Sequence, residues 1–235
     1  MAPEPQSRFE LIVGVHDLAE TPDAMGEELL SWLPFSAARP ILDNVLANSR
    51  MTSTPLVITS DDAFRSDYDL LMPYLLENGL IGSFFIPTDF VGQKGRLTIA
   101  QMREMADLGM RFGIHGARHI NWLTATPEQF IADVRQGKDA LEQMLGRKVD
   151  TAAAPFGGFD GRIAAHLRNE GLTTLYTSRP GLALRAAWIK PRNMLKSLQL
   201  DFVRQISTTT GTWRDAARCR ARVLRANIEA MVPRG

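Results

Sequence analysis

Cysteine is nearly absent. Cys219 is the only one in 235 residues, so no intrachain disulfide can form and nothing requires an oxidising compartment. An excess of one charge is missing too: 27 Lys and Arg face 26 Asp and Glu, a formal net charge of +1. Nucleic-acid binding draws on a broad cationic surplus that this chain does not have. No apolar run approaches the roughly 18 residues of a membrane span. The opening Met-Ala-Pro-Glu-Pro-Gln-Ser-Arg lacks the apolar stretch of a secretory signal. No G-x-G-x-x-G turn follows any strand-like run, which removes the dinucleotide-binding fingerprint. Histidine is scarce, with four residues and none after His166. What remains is an ordinary globular composition, 45% apolar and 23% charged, and disorder and fibrous repeats are excluded. The expectation is a cytoplasmic protein with a single domain over residues 1–235, its first eight residues a disordered lead-in.

Hydrophobic patterning gives strands and helices in alternation. Strand-like runs are Leu11–Val15, Pro55–Thr59, Ile81–Pro87, Met110–Ile114, Thr151–Ala154 and Thr173–Thr177. Helices are expected from Thr21, with Thr at the N-cap and Pro22 next, and over Arg39–Asn48, Leu70–Asn78, Ile99–Leu108, Pro127–Leu145 and Gly161–Glu170. Gly79, Gly109, Gly146 and Gly171 stand where four of these should stop. Such alternation means parallel strands joined by crossover helices, either as an open doubly wound sheet or as a closed barrel. The strand ends favour the barrel. His16, Asp61, Asp62, His115 and the Pro155-Phe156-Gly157 turn all fall just past a strand, and in a barrel those tips form one face where active sites are built. The fold class is therefore α/β, a distorted (β/α) barrel of seven or so parallel strands.

Three groups could carry chemistry. His115 and His119 are spaced i, i+4, which on a helical turn lets two imidazoles bind one divalent ion; two incidental surface histidines are the alternative. Asp61-Asp62 could cap the following helix or sit in solvent. With the histidines, one carboxylate instead completes an Asp-His-His metal site, and the other is placed to take a proton from water. The C-terminal stretch Thr212–Val232 reads as a basic helix bearing Arg214, Arg218, Arg220, Arg222 and Arg225. It is either a solvated face or a peripheral contact with anionic lipid or a carrier-linked diphosphate.

The combination resembles the polysaccharide deacetylases with a NodB-homology domain. That family's Thr-Phe-Asp-Asp-Gly is matched by Thr59-Ser60-Asp61-Asp62-Ala63. Its His-(Ser/Thr)-x-x-His is matched by His115-Gly116-Ala117-Arg118-His119, and its Arg-x-Pro-Tyr-Gly in part by Ala153-Ala154-Pro155-Phe156-Gly157. The resemblance covers roughly Pro55–Thr177. It implies Asp61 as general base, and Asp62, His115 and His119 as ligands of one divalent metal, with zinc the default and cobalt, nickel or iron also suited. The Phe156 N–H, in the turn with Pro155 and Gly157, would hold the oxyanion.

The family's last motif, a Leu-x-His on a C-terminal strand, has no counterpart here. Val15-His16-Asp17-Leu18 resembles the circularly permuted subgroup that includes poly-N-acetylglucosamine deacetylases, in which the acid-bearing strand comes first. His16 is then the general acid, expected across the scissile carbonyl from Asp61; an incidental loop histidine is the alternative. His166 reads as structural. Ala153 stands where the family has an arginine that orients the catalytic aspartate, and Arg192 is a candidate substitute, or else a surface arginine. Trp122 and Trp188 could wall a sugar ring or belong to the core.

The resulting expectation is a metal-dependent carbohydrate N-deacetylase acting on a nucleotide- or lipid-linked amino sugar in a surface-glycan pathway. No nucleic-acid partner and no obligatory protein partner are expected, and the expected location is the cytoplasm, free or peripheral at the inner membrane face. The alternatives are a deformylase or other amide hydrolase on a lipid-linked sugar, and a degenerate barrel that binds glycan without turnover.

Overall fold

The computed structural model describes residues 7–23 and 26–195. The first six residues of the N-terminal lead-in, the basic helix expected over Thr212–Val232 and Cys219 lie outside them, while the last two residues of the lead-in are placed: the Ser7 hydroxyl accepts from the Phe9 N–H and the Arg8 carbonyl from the Arg185 N–H. Strands β1 (Phe9–Val15), β2 (Leu56–Asp61), β3 (Gly82–Ile86), β4 (Arg111–Ile114), β5 (Thr151–Ala153) and β6 (Thr174–Thr177) run parallel, each beside the next. Three short strands follow: β7 (Leu182–Leu184), β8 (Ile189–Pro191) and β9 (Asn193–Met194). β8 adds in parallel to β6, and β9, one residue further on, pairs in parallel with β1. The segment from Ile189 to Met194 thus crosses from the last strand of the row to the first and brings the sheet round on itself. Seven strands, β1 to β6 and β8, form the parallel row, while β7 lies antiparallel on the outer end of β1.

The strands separate two cores by their period of two. Ile12, Phe85, Ala153, Tyr176 and Ala183 form one buried cluster, with Val57 against it. Their chain neighbours Leu11, Val13, Ile58, Phe84, Ile86, Ala152 and Leu175 belong to the larger cluster shared with the helices. The first set fills the barrel and the second cements helices α1 (Phe35–Thr52), α2 (Met72–Glu77), α3 (Ile99–Asp107), α4 (Pro127–Leu145) and α5 (Gly161–Asn169) to its outside. Thr98 with Gln101 and Thr126 with Gln129 close reciprocal capping boxes on α3 and α4. The expected stops Gly79, Gly109, Gly146 and Gly171 all have positive φ.

Among the described residues, the helix expected from Thr21 does not form. The Asp17 carboxylate accepts hydrogen bonds from the backbone of Ala19 at 2.9 Å and of Asp23 at 2.7 Å. This hooks the chain into a loop, and the next element among the described residues is a 3₁₀ turn over Gly26–Leu30. The next helix begins earlier than Arg39, because Glu20 accepts from both the backbone N–H and the hydroxyl of Ser36 at 2.8 Å and caps it at Phe35. Before α2 the chain takes a wide π-helical turn over Asp67–Leu71. Among the described residues, no helix is long and apolar enough to cross a membrane.

Candidate active site

A cavity of about 480 Å³ opens at the C-terminal ends of the strands, and its lining includes His16, Asp61, Asp62, His115, His119 and Phe156. They arrive on four strand tips or the turns after them: His16 after β1, the two aspartates at the end of β2, the histidines after β4 and Phe156 after β5.

Three donors face one another. The Oδ1 of Asp62 lies 3.6 Å from His115 Nε2 and 3.4 Å from His119 Nε2, and the three groups offer donor atoms within 4.8 Å of one another. A tetrahedral ion with bonds of roughly 2.0–2.1 Å sets its donors about 3.3 Å apart, so this set fits a divalent ion. The His115 tautomer fits as well. Its Nδ1 is 2.8 Å from the Ala153 carbonyl oxygen, which can only accept, so Nδ1 carries the proton and Nε2 presents its lone pair to the other donors. Burial of His115 pushes its pKa down to about 3. The ring is therefore neutral at physiological pH, as a ligand must be.

The pair His115 and His119 does not sit on a helical turn, contrary to the spacing argument. Gly116 and His119 have φ of 73° and 57°, and the segment between them is an irregular loop. Asp133 on α4 organises that loop, accepting from the backbone N–H groups of Ala117 at 3.2 Å and Arg118 at 2.9 Å and from Trp122 Nε1 at 2.9 Å. Gly116 is required twice over, because its φ is left-handed and a Cβ there would fall 2.1 Å from Asp133 Oδ2. Sequence reasoning missed Asp133. The available signal was an acid on the same helical face as Phe130, Val134, Gly137 and Leu141, all buried.

Asp61 points into the barrel with Val57 and Thr59, its partners on that face of β2. Arg192 meets it with both guanidinium Nη atoms, at 2.6 Å to Oδ1 and 2.7 Å to Oδ2. Arg192 is 0% exposed, which excludes the surface-arginine alternative. It sits at the crossover between β8 and β9. Burial raises the Asp61 pKa, but the charge and hydrogen bonds of Arg192, with His115 and His16, more than reverse this and hold the carboxyl well below the usual range.

His16 Nε2 stands 3.9 Å from Asp61 Oδ2 and 4.0 Å from Asp62 Oδ2, so it is beside Asp61 rather than across a carbonyl's width from it. Phe156, at φ 59° in the Pro155–Gly157 turn, sets its ring 4.8 Å from that of His119. Neither tryptophan walls the cavity. Trp122 is wholly buried. Trp188 precedes β8, at the opposite end of the barrel, and gives its N–H to the Leu172 carbonyl.

A barrel of parallel strands with carboxylates and imidazoles converging at its C-terminal tips defines a class of α/β hydrolytic scaffold. The chain belongs to the polysaccharide deacetylase family, whose profile matches residues 48–175. Over 130 residues it is 26% identical to YxkH of Bacillus subtilis, described as a polysaccharide deacetylase; the match covers 55% of this chain and 47% of that protein. The chain thus spans about half the length of this curated relative. Its fold is shared with IcaB from Ammonifex degensii, at TM-score 0.71 and 18% identity, covering 86% of this chain and 97% of that one. It is shared likewise with the deacetylase PplD of Streptococcus pyogenes, solved in complex with acetate, at TM-score 0.69 and 19% identity, covering 85% and 98%.

Proposed function

We propose that the chain removes an N-acyl group, chiefly N-acetyl, from an amino sugar in a surface-glycan pathway, with a divalent metal as cofactor. The observation that carries this reading is the convergence of Asp62, His115 and His119 within 4.8 Å, beside Asp61 and His16 in one cavity. Asp62, His115 and His119 would hold the ion. Two imidazoles and a carboxylate suit zinc first, and cobalt, nickel or iron as well. When bound, the ion supplies Lewis acidity toward a water and toward the acyl oxygen.

The chain's own groups do the rest. Asp61 is ionised at any working pH and accepts the proton of the attacking water. Arg192 grips both of its oxygens and fixes the plane of the carboxylate. The Phe156 N–H, presented by the Pro155–Gly157 turn, donates to the oxyanion. His16 delivers a proton to the leaving amine. The entering oxygen and the leaving nitrogen are borne by one carbon, so a base and an acid standing side by side can serve both. The products are the free amine and the carboxylate of the acyl group.

The cavity volume of about 480 Å³ suits a sugar unit with its acyl group. Leu18, Leu30, Leu33, Met194 and Leu195 supply apolar wall. A nucleotide- or lipid-linked sugar, met at the inner membrane face, is part of the proposal, and the experiment addresses the nucleotide linkage. Protein loaded with zinc is incubated with N-acetylated saccharides, N-acetylated sugar nucleotides and an N-formyl amino sugar, and released acetate or formate is measured. Acetate release that stops on chelation and returns with zinc is expected. Formate release alone would move the reading to a deformylase. No release from any member of the panel by loaded protein would overturn it and leave a glycan-binding barrel.

A further inference from the structure

The turn that carries Asp62 runs against the preferences of its own residues. Asp62 and Ala63 have φ of 74° and 57°, two successive side-chain-bearing residues in the left-handed region, which glycine enters freely and alanine does not. Both are buried, so solvent does not hold the turn in place.

A neighbouring segment does. The Leu97 N–H donates to the Ala63 carbonyl at 2.8 Å, and the Arg65 N–H to the Gly95 carbonyl at 2.9 Å. Together they make a one-rung antiparallel bridge between Phe64 and Arg96. From this bridge the Arg96 side chain turns back, and its Nη1 donates to the carbonyl oxygen of Asp62 at 2.8 Å. The guanidinium is itself fixed, lying 3.9 Å from the ring centroid of Phe64 and 4.8 Å from that of Phe90. Phe90 in turn lies 6.0 Å from the His119 ring. One cation therefore touches the backbone of one candidate ligand and the aromatic neighbour of another.

We propose that Arg96 is a positioning residue of the metal site. Its guanidinium, stacked on Phe64 and Phe90, holds the strained Asp62–Ala63 turn and so keeps the Asp62 carboxylate facing His115 and His119. The argument rests on the reading of Asp62 as a metal ligand. A planar, permanently charged donor suits this place, because it can stack on aromatic faces and hydrogen-bond in its own plane. Groups that orient a ligand without touching the ion typically govern metal affinity by about 10- to 100-fold.

The test measures zinc affinity of the full chain by competition with a chromophoric chelator, with thermal unfolding of each apoprotein as the check on folding. Arg96→Met is expected to fold and to bind zinc about 10- to 100-fold more weakly than the unaltered chain. Arg96→Lys, which keeps the charge but not the plane, should fall between the two. The decisive variant is Ala63→Gly. It removes the backbone strain at position 63, so in the Arg96→Met background it should recover most of the lost affinity, while alone it should change affinity by less than about threefold. Unaltered zinc affinity in Arg96→Met would overturn the proposal, and so would a loss that Ala63→Gly leaves in full. If Arg96→Met does not fold, Arg96→Gln takes its place in the same comparison. An unaltered chain that binds no zinc would instead overturn the ligand reading, so the two failures are distinguishable.

Discussion

Replacing Arg192 by methionine should strike stability and electrostatics together. The guanidinium is wholly buried and makes four contacts: both oxygens of Asp61 at 2.6 and 2.7 Å, Thr59 Oγ1 at 3.2 Å and the Thr177 carbonyl at 3.3 Å. Methionine fills much of the volume beside Phe85 but leaves the Asp61 carboxylate buried without its counter-charge. Removing one partner of a buried pair costs about 3–5 kcal/mol, well beyond the roughly 1 kcal/mol ceiling of an exposed pair. The pH dependence follows from the direction of the Asp61 shift. In the native chain its pKa is below the unfolded value, so the pair stabilises above the unfolded pKa and that stabilisation is lost as pH falls through the folded one. Without Arg192 the burial effect dominates, and the folded pKa moves above the unfolded value. The buried carboxylate then destabilises at neutral pH and ceases to do so in acid. Urea unfolding of metal-free protein should therefore show a stability gap that is widest near pH 7 and narrows toward pH 4. Adding Asp61→Asn to Arg192→Met should recover part of the loss at pH 7, because the unpaired charge is gone. A gap below about 1 kcal/mol that does not vary with pH, or a double variant weaker than Arg192→Met, would refute the reasoning.

Three further outcomes are expected. Purified protein should bind about one divalent ion per chain, and His119→Ala should lose it; full occupancy in a His115→Ala, His119→Ala double variant would sink the ligand assignment. His16→Ala should keep fold and metal yet lose about 10²- to 10⁴-fold in amide turnover, with a smaller loss on an activated ester whose leaving group needs no proton; turnover like that of the unaltered chain on the amide would return His16 to an incidental loop histidine. Asp67 is wholly buried. Burial, with the charges of Asp62, Asp17 and Asp61 beside it, outweighs an opposing hydrogen bond from Ser60 and raises its pKa well above the ordinary value. Asp67→Asn should accordingly raise the unfolding temperature at pH 7, with the gain disappearing below pH 4; a gain that persists in acid would contradict this.

The elements legible in the sequence are those whose signal is local. Six parallel strands announced themselves as short apolar runs, and α2 to α5 by periodicity and a following glycine. The choice of a barrel came from polar residues gathered at strand tips, a regularity no open sheet demands. The misread elements depend on contacts between distant residues. Glu20 and Asp17 reshape the stretch between β1 and α1 by side-chain hydrogen bonds that no propensity records. Strands of three, three and two residues in Leu182–Met194 are too short to show a period, and they exist because β1 and β6 offer edges to pair with.

Arg192 illustrates the limit most sharply. Between Pro191 and Asn193 it has every mark of an exposed turn, since a charged residue is almost never fully buried unless paired. Its partner lies at the end of β2, and the two meet only because Ile189–Pro191 pairs with β6 while Asn193–Met194 pairs with β1. Closing the barrel and supplying the counter-charge of Asp61 are therefore a single event. Ala153, where the family resemblance expects an arginine, belongs instead to the apolar barrel interior with Ile12, Phe85 and Tyr176. A cation at that height of the barrel can be delivered by any strand whose tip reaches the same face. From the β8–β9 crossover Arg192 reaches both oxygens of Asp61. The same logic lets the first strand present His16. In a closed parallel ring, chain order is free to vary so long as the tips converge.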